Sequence, residues 1–247
     1  MGVLRTVANF VFGMECLGCG TSSERLDPWL CPSCATELRR EALASAFPNE
    51  DAFCLFPMRP LTRRLVHALK YRYIPGMASY LVRRSSAVKG GIVAQELLML
   101  AQPLYFVPVP LHRARYRERG YNQAELLAAA LASATGGKVC RWLKRKTFVV
   151  SQTKLSKGER EMNVAGAFVA DFPRDMPTRG SVVVVDDVFT TGATTSACLA
   201  AFGANFPLPL KVCTLIYDEP ATAAADYAAD CRADWDAFRR ENAASLL

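Results

Sequence analysis

The sequence lacks several features by which common functional classes are recognised. It has no apolar run of roughly 18 residues, which excludes a transmembrane helix. It has no long apolar segment with a small-residue cleavage site near its start, so we expect a cytoplasmic protein. It has no G-x-x-x-x-G-K-[ST] phosphate loop and no G-x-G-x-x-G after a strand, which argues against the common nucleotide-binding motifs. Histidine is scarce, since His67 and His112 are the only two in the chain, and no general base stands out.

The composition is that of a basic globular protein. Hydrophobic residues make up 51% of the 247 positions, which allows a substantial core and one large domain beside a small one. The net charge is +7. The excess of positive charge lies before residue 218, because the segment that follows is rich in Asp and Glu. A basic body suits an anionic ligand or a nucleic-acid partner, and charge alone does not separate the two.

The most informative stretch combines a strand, two acids and a small hydroxyl-rich turn. Val182–Val185 is an apolar β-branched run typical of a buried parallel strand, and Asp186 and Asp187 follow at once. The turn then reads Thr190, Thr191, Gly192, Ala193 and Thr194, and a helical pattern begins. Ligands bind at the carboxyl ends of strands in open α/β sheets, and a helix N-terminus favours an anion. Adjacent carboxylates suit sugar hydroxyls or a hydrated cation. A sugar-phosphate site is predicted; the alternative is a buried strand with an Asp-rich turn and a threonine helix cap.

A second cluster lies near the start of the chain. Cys16 and Cys19 form one C-x-x-C pair, and Cys31 and Cys34 form another. Two such pairs complete a tetrahedral site with no open position, so we expect a structural zinc ion. The alternatives are two disulfides, which need an oxidising compartment, or a redox pair, which needs one C-x-x-C near a βαβ pattern.

The order of predicted elements indicates an α/β fold with a mostly parallel sheet flanked by helices. The predicted domains are a zinc-binding module (1–45), an α/β domain (46–217) and an Ala-rich acidic helical tail (218–247). We predict strands at 51–58, 104–109, 138–143, 167–170, 182–185 and 210–217, helices at 61–73, 77–84, 93–100, 121–134 and 193–204, a loop at 111–120, and a polar, basic, non-periodic segment at 144–162.

The acidic pair and its turn resemble the signature of the type I phosphoribosyltransferases, and the whole motif set resembles the ComF family, which includes ComFC and GntX proteins. The set comprises the two C-x-x-C pairs, Leu69–Arg72, Val107–Leu111, Arg119–Gln123, Gln152–Leu155 with Arg160 and Asn163, Gly166–Phe168, and Asp186–Thr194. The resemblance covers roughly residues 14–217.

The resemblance implies a set of ligands for 5-phosphoribosyl-1-pyrophosphate (PRPP). Asp186 and Asp187 would hold the ribose hydroxyls and residues 190–194 the 5′-phosphate, while Mg²⁺ would bind with PRPP. Arg113 and Arg115 follow the strand that carries the pyrophosphate loop, and Lys154 and Arg160 lie where related enzymes carry a lid, so these four are the candidates for pyrophosphate contact.

The family also implies a link to DNA uptake and competence. One hypothesis is an enzyme that transfers phosphoribose to an unknown acceptor and releases pyrophosphate, with catalytic residues not assigned. The alternative is a non-catalytic PRPP- or nucleotide-binding module that binds single-stranded DNA or a helicase-like partner. Tyr71, Tyr73, Tyr116 and Tyr121 lie among Arg and Lys residues, as base-stacking side chains would, although half-buried tyrosines give the same pattern.

Overall fold

The computed structural model describes residues 14–23, 26–42, 46–49, 51–74, 76–85, 92–146 and 166–218. Lys154, Arg160 and the predicted tail after residue 218 lie outside these ranges. The strands are β1 (Met14–Glu15), β2 (Ser22–Ser23), β3 (Ala46–Asn49), β4 (Ala52–Pro57), β5 (Leu104–Pro108), β6 (Lys138–Val139), β7 (Leu143–Arg145), β8 (Phe168–Ala170), β9 (Ser181–Phe189) and β10 (Leu210–Tyr217). The helices are α1 (Pro32–Ala42), α2 (Pro60–Tyr71), α3 (Met77–Arg84), α4 (Ile92–Met99), α5 (Arg113–Arg119), α6 (Gln123–Thr135) and α7 (Ala193–Phe202).

The main sheet is a mostly parallel α/β sheet, as predicted. Its strand order is β3-β4-β10-β9-β5-β6, and every neighbouring pair is parallel except β3 with β4. The chain passes from β5 outward to β6 on one side, and from β9 outward to β10 on the other. The order of the strands therefore reverses between β5 and β9, which is where open α/β sheets bind ligands.

The buried side chains of β9 alternate between two hydrophobic layers. Val183 and Val185 pack on the layer that contains α2 and α6, while Val182 and Val184 pack on the layer that contains α7. All four valines are at most 1% exposed. Because side chains point to opposite faces in turn, Asp187 continues the first row and Asp186 the second. The acidic pair thus faces both layers at one edge of the sheet.

The cysteine-rich segment packs directly on the α/β domain. Cys16, Leu30 and Cys34 belong to the same hydrophobic cluster as Leu61 and Leu65 of α2. A Cβ atom on Gly18 would lie 2.7 Å from both Cys34 Sγ and Leu61 Cδ1, so the first C-x-x-C turn packs so closely on α2 that a side chain at position 18 would clash. The predicted division of the chain at residues 45 and 217 stays a prediction.

Three predicted elements differ in the structure. The strand predicted at 138–143 is two short strands: β6 pairs with β5 at the edge of the main sheet, and β7 pairs antiparallel with β8 in a separate two-stranded sheet. The segment predicted as the loop 111–120 contains helix α5, whose start is capped by His112, where Nδ1 accepts a hydrogen bond from the Ala114 N–H at 3.2 Å. No residue of α5 is buried, so the helix has no apolar periodicity for a sequence to reveal. The strand predicted to end at Val185 continues through the acidic pair to Phe189, because β9 stays paired with β10 up to Tyr217.

In the described part of the chain, none of the helices has both the length and the apolar character needed to cross a membrane.

Candidate functional site

The acidic pair begins where β5 stops. Strand β5 pairs with β9 only as far as Pro108 and Val185, and the Val109 N–H donates the last hydrogen bond to the Val185 carbonyl at 2.9 Å. Asp186 and Asp187 are the next residues of β9 and extend beyond the end of β5. The carboxylates therefore border the crevice at the switch point of the sheet.

Asp187 is buried and held by two donors from the α2–α6 layer. Its Oδ2 atom accepts a hydrogen bond from Gln123 Nε2 at 2.9 Å and lies 3.1 Å from Lys70 Nζ. The Asp187 side chain is 8% exposed and that of Lys70 is 22% exposed. A buried carboxylate is tolerated only with such partners, because desolvation strongly disfavours an unpaired charge.

Asp186 lies on the other face, in a different electrostatic environment. Its Oδ1 atom accepts a hydrogen bond from the Asp187 N–H at 2.8 Å. Burial, and then the neighbouring charge of Asp187, raise the pKa of Asp186 to about 7, while Lys70 and Arg145 act in the opposite direction. Two adjacent carboxylates of which one is partly protonated near neutral pH form a site that favours a hydroxyl-rich or cationic ligand.

The turn after the acidic pair opens towards solvent. Thr190 and Thr191 are exposed, and the Thr191 Oγ1 atom accepts a hydrogen bond from the Ala193 N–H at 3.4 Å. Gly192 caps α7 with φ +76°, and a Cβ atom there would lie 2.8 Å from the ring of Phe189. Only glycine meets both conditions, since L-residues disfavour this left-handed conformation. The turn therefore presents hydroxyl groups at the first turn of α7, where an anion is stabilised.

Arg113 and Arg115, predicted to contact pyrophosphate, lie on α5, which follows the carboxyl end of β5. Both are exposed. Burial is the main cause of the lowered pKa of the Arg145 guanidinium; the nearby charge of Arg115 lowers it further, and Asp186 acts in the opposite sense. Arg115, Arg145 and Asp186 thus belong to one electrostatic neighbourhood, whereas Lys154 and Arg160 fall outside the described residues.

Three residues at this site were not predicted from the sequence. Lys70 and Gln123 lie in two of the family motifs, Leu69–Arg72 and Arg119–Gln123, but a motif does not reveal its partner. Arg145 gave no signal, because it falls within the segment predicted as basic and non-periodic at 144–162, whereas the structure places it at the end of β7.

The four cysteines of the first module converge, as their spacing predicted. The sulfur atoms of Cys16, Cys19, Cys31 and Cys34 all lie within 4.8 Å of one another, and those of Cys19 and Cys31 are 3.8 Å apart. Tetrahedral metal–thiolate bonds of about 2.3 Å place sulfurs roughly 3.8 Å apart, while a disulfide needs about 2 Å. Hydrogen bonds from Thr21 lower the pKa of Cys19 to about 6, which favours its thiolate, whereas burial raises the pKa of Cys34. The cluster is therefore suited to hold a metal ion.

Exposed tyrosines and basic side chains lie on α2, on the segment that follows it and on α5, and the Arg119 guanidinium joins the two helices by lying over the Tyr71 ring. We call this set the tyrosine–arginine surface. Its aromatic members are Tyr71, Tyr73 and Tyr116, with exposures of 53%, 70% and 50%. Its exposed basic members are Arg64, His67, Arg72, Arg115 and Arg117. Beside the first C-x-x-C turn, Arg64, His67 and Arg72 line a groove of about 310 Å³. Such a surface can contact phosphates and stack on flat rings.

Comparison with known proteins gives a consistent set of relatives. The chain is 31% identical over 182 residues to the DNA utilization protein YhgH of Salmonella typhimurium, covering 67% of this chain and 74% of that protein. It is 37% identical over 111 residues to competence protein F of Haemophilus influenzae, covering 41% and 44% of the two chains. It is 34% identical over 88 residues to competence protein ComFC of Bacillus subtilis, covering 36% and 33%. No profile of a known family matches the chain. With relatives of these names and this extent of similarity, the chain belongs to the ComF family, as its motifs predicted.

Proposed function

We propose that this protein binds PRPP, or a closely related ribose 5-phosphate ester, in the crevice between β5 and β9, and that it acts in the handling of DNA taken up by the cell. The observation that carries the first part is the position of the acidic pair, which begins one residue beyond the last pair of β5 and β9. The names of the relatives, a DNA utilization protein and two competence proteins, support the second part.

The donor and acceptor groups of the crevice match the two ends of a ribose phosphate. Asp186 and Asp187 offer carboxylate oxygens to the 2′ and 3′ hydroxyl groups, while the hydroxyls of residues 190–194 and the start of α7 meet the 5′-phosphate. Arg113 and Arg115 on α5, together with Lys154 and Arg160, are the proposed contacts of the pyrophosphate. When bound with PRPP, Mg²⁺ would neutralise the charge of the departing pyrophosphate. Zinc is the metal proposed for the four cysteines, because a closed set of four thiolates matches its preferred coordination.

The reaction that this arrangement supports is phosphoribosyl transfer. The C1–O bond of PRPP breaks through an oxocarbenium-like centre, pyrophosphate leaves with the bonding electrons, and a nucleophile takes its place at C1. Holding the ribose and meeting the charge of the leaving group are the parts that this chain's residues supply.

The direct test is calorimetry with PRPP and Mg²⁺. The wild type is expected to bind, while Asp186→Asn and Asp187→Asn, which keep shape but remove charge, are expected to lose affinity by about tenfold or more, as for a lost hydrogen bond to a charged group. The matched control is Asp51→Asn. Asp51 directly precedes β4, so it lies at the amino ends of the parallel strands, away from the crevice, and it pairs with Lys211 at 2.8 Å. Equal affinity in the wild type and both site variants would contradict the proposal.

The tyrosine–arginine surface favours a second activity, the binding of single-stranded DNA. Tyr73 and Tyr116, which are 70% and 50% exposed, provide stacking groups, and the neighbouring arginines provide phosphate contacts. This combination binds single strands without sequence preference. Binding to an oligonucleotide should weaken steeply with salt.

Replacing Tyr73 and Tyr116 by alanine together should weaken this binding by more than tenfold, because stacking contributes about 1–3 kcal/mol for each base. The control is Phe172→Ala, an aromatic of 39% exposure outside the surface. Binding that is insensitive to salt, or equal losses in the two variants, would contradict this assignment.

A further inference from the structure

Two sequence motifs outside the acidic turn contact each other beside the site. The Tyr121 hydroxyl donates a hydrogen bond to the Leu69 carbonyl at 2.6 Å, and the Arg119 guanidinium lies over the ring of Tyr71, 5.0 Å from its centre. Residues of the Arg119–Gln123 motif therefore hold the last turn of α2 on both sides of Lys70.

The same motif is anchored to the end of β5 and to the start of α6. Asn122 caps α6 through Oδ1, which accepts a hydrogen bond from the Ala124 N–H at 3.0 Å, and its Nδ2 donates to the Val109 carbonyl at 3.0 Å. Gln123, the next residue, is 4% exposed and is thereby fixed beside the crevice.

Lys70 and Gln123 approach the same atom of Asp187. Lys70 Nζ lies 3.1 Å from Oδ2 and Gln123 Nε2 lies 2.9 Å from it. Neither contact uses Oδ1, so the second oxygen of Asp187 keeps its capacity to accept hydrogen bonds from a ligand.

The side-chain amide of Gln123 also carries an oxygen atom, Oε1, whose position follows from the contact with Asp187. A carboxylate only accepts hydrogen bonds, so the NH₂ group of Gln123 must face Asp187 and the Oε1 atom must face away from it. This Oε1 atom is buried and has no hydrogen-bond partner among the described residues. Buried acceptors are normally satisfied, and a ligand hydroxyl would satisfy this one.

We propose that Gln123 contacts the sugar through Oε1 and that Lys70 is a positioning residue that holds Asp187. Together, the two residues make the site selective for a pentose phosphate that has both the 2 and 3 hydroxyl groups over its 2-deoxy analogue. This inference rests on the proposed ribose-phosphate site. Lys70 and Gln123 orient one oxygen of Asp187 and leave the other for a hydroxyl. Loss of the 2-hydroxyl leaves a buried acceptor without a donor, which is how polar sites reject analogues that lack a group.

The test compares ribose 5-phosphate with 2-deoxyribose 5-phosphate by calorimetry. The wild type should prefer the ribose form by about tenfold or more. Gln123→Met, which keeps length but removes the amide, should bring the ratio close to one, because the variant loses more affinity for ribose 5-phosphate than for the deoxy sugar. Lys70→Met should also reduce the ratio, and Lys70→Arg should restore most of it, because a guanidinium still reaches the carboxylate. The control is Arg63→Met, which removes one exposed cation from the same helix.

Each outcome separates this inference from the proposal beneath it. A wild type that binds neither sugar contradicts the ribose-phosphate site, and the inference falls with it. A wild type that prefers ribose, with the same preference in both Met variants, overturns the roles of Lys70 and Gln123 alone. If Lys70→Met loses the same affinity for both sugars, Lys70 has a purely structural role, and its proposed role in selectivity is wrong. If Lys70→Met does not fold, as judged by thermal denaturation, Gln123→Met decides the result.

Discussion

The substitution Gly192→Ala tests the geometry of the turn that follows the acidic pair. Gly192 has φ +76°, and the added Cβ would meet the Phe189 ring at 2.8 Å. The left-handed conformation costs an L-residue about 1–2 kcal/mol, and overpacking adds about 1–3 kcal/mol. We therefore expect a loss of about 3 kcal/mol in the free energy of unfolding. For a chain of this size, that lowers the melting temperature by roughly 6–12 °C.

The control for Gly192→Ala is Gly136→Ala at the end of α6. Gly136 has nearly the same φ, +75°, but no atom lies within 4 Å of its added Cβ. This variant should lose only the backbone contribution, about 1–2 kcal/mol. Equilibrium urea denaturation of both variants measures the difference directly.

A double-mutant cycle isolates the contact with the ring. In a Phe189→Leu background, which removes the atoms that Cβ meets, Gly192→Ala should cost little more than Gly136→Ala does. Equal losses for Gly192→Ala and Gly136→Ala in the wild-type background would refute the role assigned to Phe189. The cost of Gly192→Ala would then come from the positive φ alone.

Further predictions concern pH and the metal centre. Because the pKa of Asp186 is raised to about 7, its contribution to stability is fully present below the ordinary value for Asp and is lost as pH rises through 7. Asp186→Asn should therefore gain stability relative to the wild type between pH 5 and pH 8, as measured by thermal denaturation at each pH. The wild type should also gain affinity for ribose 5-phosphate over this range more steeply than Asp186→Asn, since the ionised carboxylate is the better acceptor; parallel titration curves would contradict this. Cys16→Ser should lower the metal content measured on the purified protein well below one atom per chain, and a variant that retains the full content would exclude the four-thiolate site. Gly18→Ala, whose Cβ would lie 2.7 Å from Cys34 Sγ and Leu61 Cδ1, should weaken metal retention during dialysis against a chelator, and unchanged retention would show that the turn can shift.

The local features of the fold could be predicted because they depend on neighbouring residues. Strand β9 and helix α7 follow from the valine run and from the glycine turn between them, and the cysteine cluster follows from its spacing. Helix α5 could not be predicted, because it buries no residue and its polar sequence has no periodicity. The continuation of β9 through Asp186 and Asp187 depends on its pairing with β10, which the sequence of β9 does not contain.

The partners of the acidic pair were beyond prediction for a different reason. Lys70 meets Asp187 only because α2 and α6 pack on the same face of β9, and this packing joins segments that are distant along the chain. The motifs Leu69–Arg72 and Arg119–Gln123 were visible in the sequence as family features. That the two motifs pack on each other beside Asp187 is visible only from the contacts between them.

A structure of the protein determined with ribose 5-phosphate shows whether the acidic pair and the turn at residues 190–194 form the binding site. We predict that the 2 and 3 hydroxyl groups lie within hydrogen-bond distance of Asp186 and Asp187, with the phosphate at residues 190–194 against the start of α7. A sugar phosphate bound elsewhere, with both carboxylates engaged only by protein side chains, would contradict it.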